Sequence, residues 1–259
     1  MYKKVKLSVL SIIIALCTFV PSTFAAGGSE LENKEVIIFE AQEIKDNNAL
    51  LSRAKEGVTD NLELDKNMNT LMEVKDKNGK KANFSKKDVQ ITSQKLKAVK
   101  KGTKVVESYV TTVFSEATFE KSNESISNLG YDTGKGALDS TLSVYSYSRV
   151  YYEIVKGGSG NINHYDITKA TGYWTLQDAT TGIKNTNVTL QQWGTSTIGG
   201  NHYVNHSKKF DVGTSFSVVA DANWEPVIKA TGSVVNAVMR CTITEGSSSW
   251  NVIFVNGVI

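Results

Sequence analysis

From Val105 onward, apolar and polar residues alternate with a period of two, the signature of half-buried strands. In Val106–Phe114, the residues Val106, Val110 and Phe114 share one face. Between Leu142 and Val155 the even positions are Leu142, Val144, Ser146, Ser148, Val150, Tyr152 and Ile154. The odd ones are Ser143, Tyr145, Tyr147, Arg149, Tyr151 and Glu153. Successive strand side chains point to opposite faces, so Tyr145, Tyr147, Arg149 and Tyr151 form a row. The same patterning predicts strands at Thr171–Leu176, Asn187–Gln192, Ser215–Ala220, Val234–Thr244 and Trp250–Val255, the last two flanking a hairpin loop at Glu245–Ser249. Within Val234–Thr244, the residues Val235, Ala237, Met239, Cys241 and Ile243 share the apolar face. No long amphipathic helix appears. Many short strands separated by Gly, Asn and Ser predict a mainly β chain, an antiparallel β-sandwich or barrel.

The N-terminal part is different material. Residues 27–104 hold 29 charged residues out of 78 and only two aromatics, Phe39 and Phe84. Residues 105–259 hold 23 charged residues out of 155 and 18 aromatics, so the second stretch has the larger supply of core-forming rings. The division is therefore a charged segment, 26–104, of small α+β character, followed by a β domain, 105–259. The segment reads either as a pro-segment removed later or as an appendage. Within it, Asn48 caps an expected short helix through Leu50, Leu51 and Ala54 that Gly57 ends. Leu71–Lys80 reads as a strand entering an Asn78-Gly79 turn. Asp76-Lys77-Asn78-Gly79 begins like a calcium loop, but its glycine comes two places early and no glutamate closes it, so a turn is expected. The five lysines from Lys95 to Lys104 suit a solvated strand or helix face, with a protease-accessible linker as the alternative.

The first residues change the charge argument. Lys3, Lys4 and Lys6 precede an uncharged apolar run, Leu7–Val20, then Pro21 and the small residues Thr23 and Ala25. This three-part pattern reads as a secretory signal peptide over residues 1–25, and the run is short of the ~20 residues of a spanning helix. Leu16 before Cys17 is too large for a lipidation signal. The formal charge of +3 equals the three signal lysines, so the mature chain is near neutral and lacks the electrostatic footprint of a nucleic-acid binder. Its single cysteine, Cys241, allows no internal disulfide, although an extracellular compartment would permit one. The expectation is an extracellular protein without a transmembrane segment in its mature form.

Candidate chemistry is sparse. His202 and His206 have a metal-like spacing, but it serves a helix, and on a strand the rings lie ~13 Å apart. Their position between Gly199-Gly200 and Ser207-Lys208-Lys209 predicts a loop. Gly157-Gly158-Ser159-Gly160-Asn161 lacks the second spaced glycine of a nucleophile elbow. Cys241, on an apolar face without a cationic neighbour, is expected to be buried and unreactive. Glu153, Asp166, Asp178 and Glu225 are the carboxylates nearest predicted strands or aromatics, and nothing in the sequence pairs them. No catalytic set, metal site or cofactor motif emerges. The best binding feature is the row Tyr145, Tyr147, Arg149 and Tyr151, with Trp174 and Trp193, and also Trp224, as extensions. Rings of this kind stack on sugar faces; the competing reading is an aromatic ladder that only stabilises the sheet. The Ser/Thr-rich stretch Glu124–Ile154 resembles an inserting β-hairpin, although Ser125–Asn128 and Tyr131–Gly136 give no clean apolar face.

Gly172-Tyr173-Trp174-Thr175, Asn187–Gly194 and Cys241–Thr244 followed by Gly246–Trp250 resemble segments of uncharacterised secreted β-rich proteins of Gram-positive bacteria. The resemblance covers roughly the last 90 residues and implies a bacterial exoprotein, with no catalytic residues to transfer. The functional expectation is a non-enzymatic extracellular binding or interaction protein that contacts cell-wall polymer or other carbohydrate. The alternatives are a membrane-active, pore-forming or bacteriocin-like toxin with a pro-segment, and an extracellular hydrolase without a recognisable motif.

Overall fold

The computed structural model describes residues 34–64, 72–80, 84–86, 89–120, 141–157, 162–177, 180–198 and 200–259. The expected signal peptide, Ser125–Asn128, Tyr131–Gly136, Ser159-Gly160-Asn161 and Asp178 lie outside these residues. Among the described residues, thirteen strands and one helix follow in the order β1 (Glu35–Glu40), α1 (Asn47–Lys55), β2 (Met72–Asp76), β3 (Phe84–Lys86), β4 (Gln90–Lys101), β5 (Lys104–Glu120) and β6 (Thr141–Lys156). Then come β7 (His164–Leu176), β8 (Gly182–Ser196), β9 (His202–Asp211), β10 (Ser215–Val219), β11 (Val227–Ile228), β12 (Val234–Glu245) and β13 (Ser248–Gly257). They form two antiparallel sheets packed face to face, a β-sandwich rather than a closed barrel. The 8-stranded sheet runs β1-β4-β5-β6-β7-β10, with β3 beside β5 and β11 beside β7. The 5-stranded sheet runs β2-β13-β12-β8-β9.

The alternation sets the core. Val144, Val150, Tyr152 and Ile154 of β6 face Val235, Ala237, Met239, Cys241 and Ile243 of β12 within one buried cluster. Polar ties bridge the layers where backbone groups would otherwise be stranded. Asn256 of β13, fully buried, donates through Nδ2 to the Thr111 and Ser148 carbonyls and to Ser148 Oγ across the interface. Gln192 of β8 accepts from the Ile167 N–H at 2.6 Å and donates to Asp166 and to the Glu225 carbonyl. It fills the gap along β7 between the partners β11, which ends at Tyr165, and β10, which begins opposite Lys169. Gly172 is required by close approach: an added Cβ would sit 2.3 Å from the Tyr147 carbonyl oxygen and against the Phe216 ring.

The compositional change at residue 104 falls on the turn between β4 and β5. Strands from before it enter both sheets: β1, β3 and β4 the larger one, β2 the smaller. Lys95–Lys101 belong to β4, which pairs with β5 and, over its last residues, with β1, so the lysines decorate a strand. Residues 41–63 wrap the edge of β4. α1 lies on the outer face of the larger sheet. Asp60 then reaches the β4 edge, its N–H donating to the Ser93 carbonyl and its carboxylate accepting from the Lys95 N–H. Asn61 and Glu63 pass to the inner face, where Asn61 Nδ2 donates to Tyr152 Oη at 2.6 Å and Tyr165 donates to Glu63.

Local expectations are corrected in places. The helix is capped by Asp46, whose Oδ1 accepts from the Ala49 N–H at 2.8 Å, and not by Asn48. Gly57 follows the helix with a φ of 71°. Asp76 Oδ1 accepts from the N–H groups of Asn78 and Lys80, which makes its loop a turn. His202–Asp211 is strand β9 and not a loop, because it is the edge of the smaller sheet and pairs along its length with β8.

Candidate functional site

Tyr145, Tyr147, Arg149 and Tyr151 do share the outer face of β6. The next strands complete an aromatic patch around them. Phe114 of β5 and Tyr173 of β7 stand directly opposite Tyr147. The Phe114 and Tyr147 centroids are 5.2 Å apart, those of Tyr147 and Tyr173 5.0 Å, and those of Tyr145 and Tyr173 6.3 Å. Such pairings add to what area burial alone contributes.

The N-terminal segment covers part of this patch. Leu50 is buried against Phe114 and Tyr147, with Ile44 and Leu51 packed alongside. Gln94 of β4 fixes the approach, accepting from the Ile44 N–H and donating to the Gln42 carbonyl. Arg149, 6 % exposed, donates to the Ile44 carbonyl at 2.8 Å and pairs with the Glu43 carboxylate at 2.9 Å. Tyr151 donates to the same carboxylate at 2.7 Å. A buried guanidinium needs such a counter-charge. Asn47 Nδ2 donates to Tyr173 Oη. The rings of Tyr145, Tyr151 and Tyr173 remain partly exposed beyond the cover, whereas Tyr147 is buried.

Burial and neighbouring acceptors fix the protonation of the patch. Burial first, then the other phenols and Glu116, push Tyr145 up to about 12. Burial, then the hydrogen bond to Glu43, push Tyr151 up to about 12. Both are neutral donors over the physiological range. Lys169 lies 5.4 Å over the Tyr151 ring and Arg149 5.8 Å from it, so cations border the aromatic surface.

The tryptophans lie elsewhere. Trp174 faces the core, its ring 5.5 Å from Phe216. Trp224 is also in the core, stacked with His206. Trp193 is half-buried on β8; its neighbour Gln192 points into the interface, so Trp193 faces away from the larger sheet. Tyr173, Glu43 and Asn47 join the patch instead. Tyr173 was open to detection, since the alternation puts it on the face opposite Trp174. The contacts of Glu43 and Asn47 span more than 100 residues and leave no local trace.

The other candidates have structural partners. His202 pairs with Glu225 at 3.0 Å, and His206 Nε2 accepts from the Glu225 N–H. No group of three or more metal-ligating side chains occurs among the described residues. Cys241 is buried, and burial pushes its thiol up to about 12. Glu153 and Asp166 are cross-strand neighbours; burial lifts Asp166 to about 6 against the hydrogen bond from Gln192, with Glu153 adding to the rise. Burial also opposes ionisation of Glu107, but donors on Lys156, Lys95 and Tyr109 hold it below its ordinary value. No helix among the described residues is long and apolar enough to cross a membrane. No family model, curated protein or solved structure matches the chain.

Proposed function

We propose that this chain is a secreted bacterial binding protein that contacts cell-wall polymer or another carbohydrate through the outer tyrosine face, without catalysis. The observation that carries the reading is the set of partly exposed rings, Tyr145, Tyr151 and Tyr173, held rigid beside the Arg149–Glu43 pair. Flat ring faces bordered by amide, carboxylate and ammonium groups match the alternating apolar faces and hydroxyl rims of sugars. The N-terminal segment supplies Glu43 and Asn47, so the binding form retains that segment. The test is titration of soluble wall glycan against the wild type and against Tyr145→Ser and Tyr173→Ser. Each truncation is expected to weaken binding about tenfold, the loss of one ring contact of ~1.5 kcal/mol. Unchanged affinity in both variants would remove the tyrosine face from the account.

A membrane-active reading draws on a different observation. β6 pairs with β5 along all its 16 residues without a bulge, longer than the ~9–11 residues of a membrane-spanning strand. Dye release from liposomes would favour it; intact liposomes across several lipid compositions would count against it.

A further inference from the structure

Four apolar residues follow one another in β1, namely Val36, Ile37, Ile38 and Phe39, and they are 49, 54, 54 and 41 % exposed. β1 ends the larger sheet. β4 pairs with it on one side, and no described strand pairs with the other. The remaining terminal strands are guarded. β2 carries Glu73, Lys75 and Asp76; β9 carries His202, His206, Lys208, Lys209 and Asp211; β10 is only 5 residues long. Charge and shortness are the usual devices that keep sheet edges from pairing with other chains. β1, at 6 residues one longer than β10, carries no charge inside its apolar run. What blunts it is its modest length and the register shift between Ile37 and Phe39.

We propose that β1 is a self-association edge, pairing antiparallel with β1 of a second copy so that the 8-stranded sheet continues across two protomers. An added strand would pair with the edge N–H and C=O groups that no described strand engages, and would cover the apolar side chains. Charge selects both the occupant and the register. With Ile37 opposite Ile37, Lys34 of each copy stands against Glu40 of the other, and Val36 against Ile38. Sliding by one residue either sets Glu35 against Glu40 or takes Lys34 out of opposition to Glu40, and like charges directly opposite are unfavourable. Glu35 is already engaged by Lys101 of its own sheet at 3.0 Å. The strand is thus its own complement, as a two-fold interface requires.

The test is sedimentation velocity on the chain lacking residues 1–25, at low salt and up to ~1 mM, since an edge contact is small for a stable interface. The wild type is expected to form a concentration-dependent dimer. Lys34→Glu alone and Glu40→Lys alone each set two like-charge pairs against one another and are expected to weaken it about tenfold or more. An equimolar mixture of the two variants pairs glutamates only with lysines, so the mixture is expected to dimerise as the wild type does. Ile37→Lys is expected to be monomeric, with circular dichroism and thermal unfolding confirming that each variant is folded. A wild type that stays monomeric throughout, an Ile37→Lys variant that still dimerises, or a mixture that does not recover would each overturn the proposal.

Discussion

Replacing Leu50 with alanine tests whether the charged N-terminal segment is part of the sandwich or merely rests on it. Leu50 is 1 % exposed and fills the space between α1 and the rings of Phe114 and Tyr147. Truncating a leucine so enclosed removes its transfer free energy and leaves a cavity, together ~2–5 kcal/mol, with ~3 kcal/mol expected for a site on an outer face. Two outcomes are separable. If α1 folds cooperatively with the sheets, the loss appears in global stability. If it undocks locally, the global transition does not move. The segment is tied on at the β4 edge by Asp60 and on the inner face by Asn61 and Glu63, so the cooperative outcome is expected. Urea denaturation followed through the tryptophans, all of which lie in β8, β7, β13 or the loop before β11, reads the sandwich and not the helix. The midpoint should fall with an unchanged slope. Thermal unfolding should drop by roughly 6–12 °C for a chain of this size. A change under ~0.5 kcal/mol, the scatter of ordinary surface substitutions, would refute the integrated view of the segment.

Other perturbations follow from single contacts. Burial raises Asp166 from an ordinary 3.8 to about 6 in the fold, so it costs nothing below about pH 3.8, a growing amount between about 3.8 and 6, and a constant amount above that. Asp166→Asn keeps an acceptor for Gln192, so it should match the wild type in urea titrations at pH 4 and exceed it by about 1–2 kcal/mol at pH 8. Gln192→Leu strands the Ile167 N–H and the Glu225 carbonyl and should cost ~2–4 kcal/mol in denaturant titrations. Glu43→Ala leaves the buried Arg149 guanidinium without its carboxylate, with an expected loss of ~3 kcal/mol by the same assay. Cys241, buried and held protonated, should resist an aromatic disulfide reagent in the native chain lacking residues 1–25 and react promptly in urea.

Where one face of a strand is buried and the other is not, the period of two in the sequence carries the structure. The β6 and β12 faces follow directly from it, as does the hairpin between β12 and β13. Sheet edges do not announce themselves in this way. Among the described strands β9 pairs only with β8, and its lysines and histidines hide the strand pattern behind a polar composition. β4 alternates only partly, with lysines on a strand whose Ile91 and Ala98 are buried. Composition also separates material on either side of residue 104, yet β4 and β5 are hydrogen-bonded neighbours across that point. Charged residues mark exposure, and a strand on the rim of a sandwich is exposed whichever part of the chain it comes from. The tyrosine row was legible for the same reason as the core. Its cover was not, since Leu50, Ile44 and Glu43 meet β6 through contacts that no local periodicity encodes.

The most direct measurement of the proposed function is cosedimentation of the chain lacking residues 1–25 with purified Gram-positive cell walls, beside liposomes. The account predicts saturable wall binding that soluble glycan competes away and that the Tyr145→Ser, Tyr173→Ser double variant loses while keeping its fold. Walls that leave the protein in the supernatant, or binding indifferent to both glycan and the tyrosines, would contradict it.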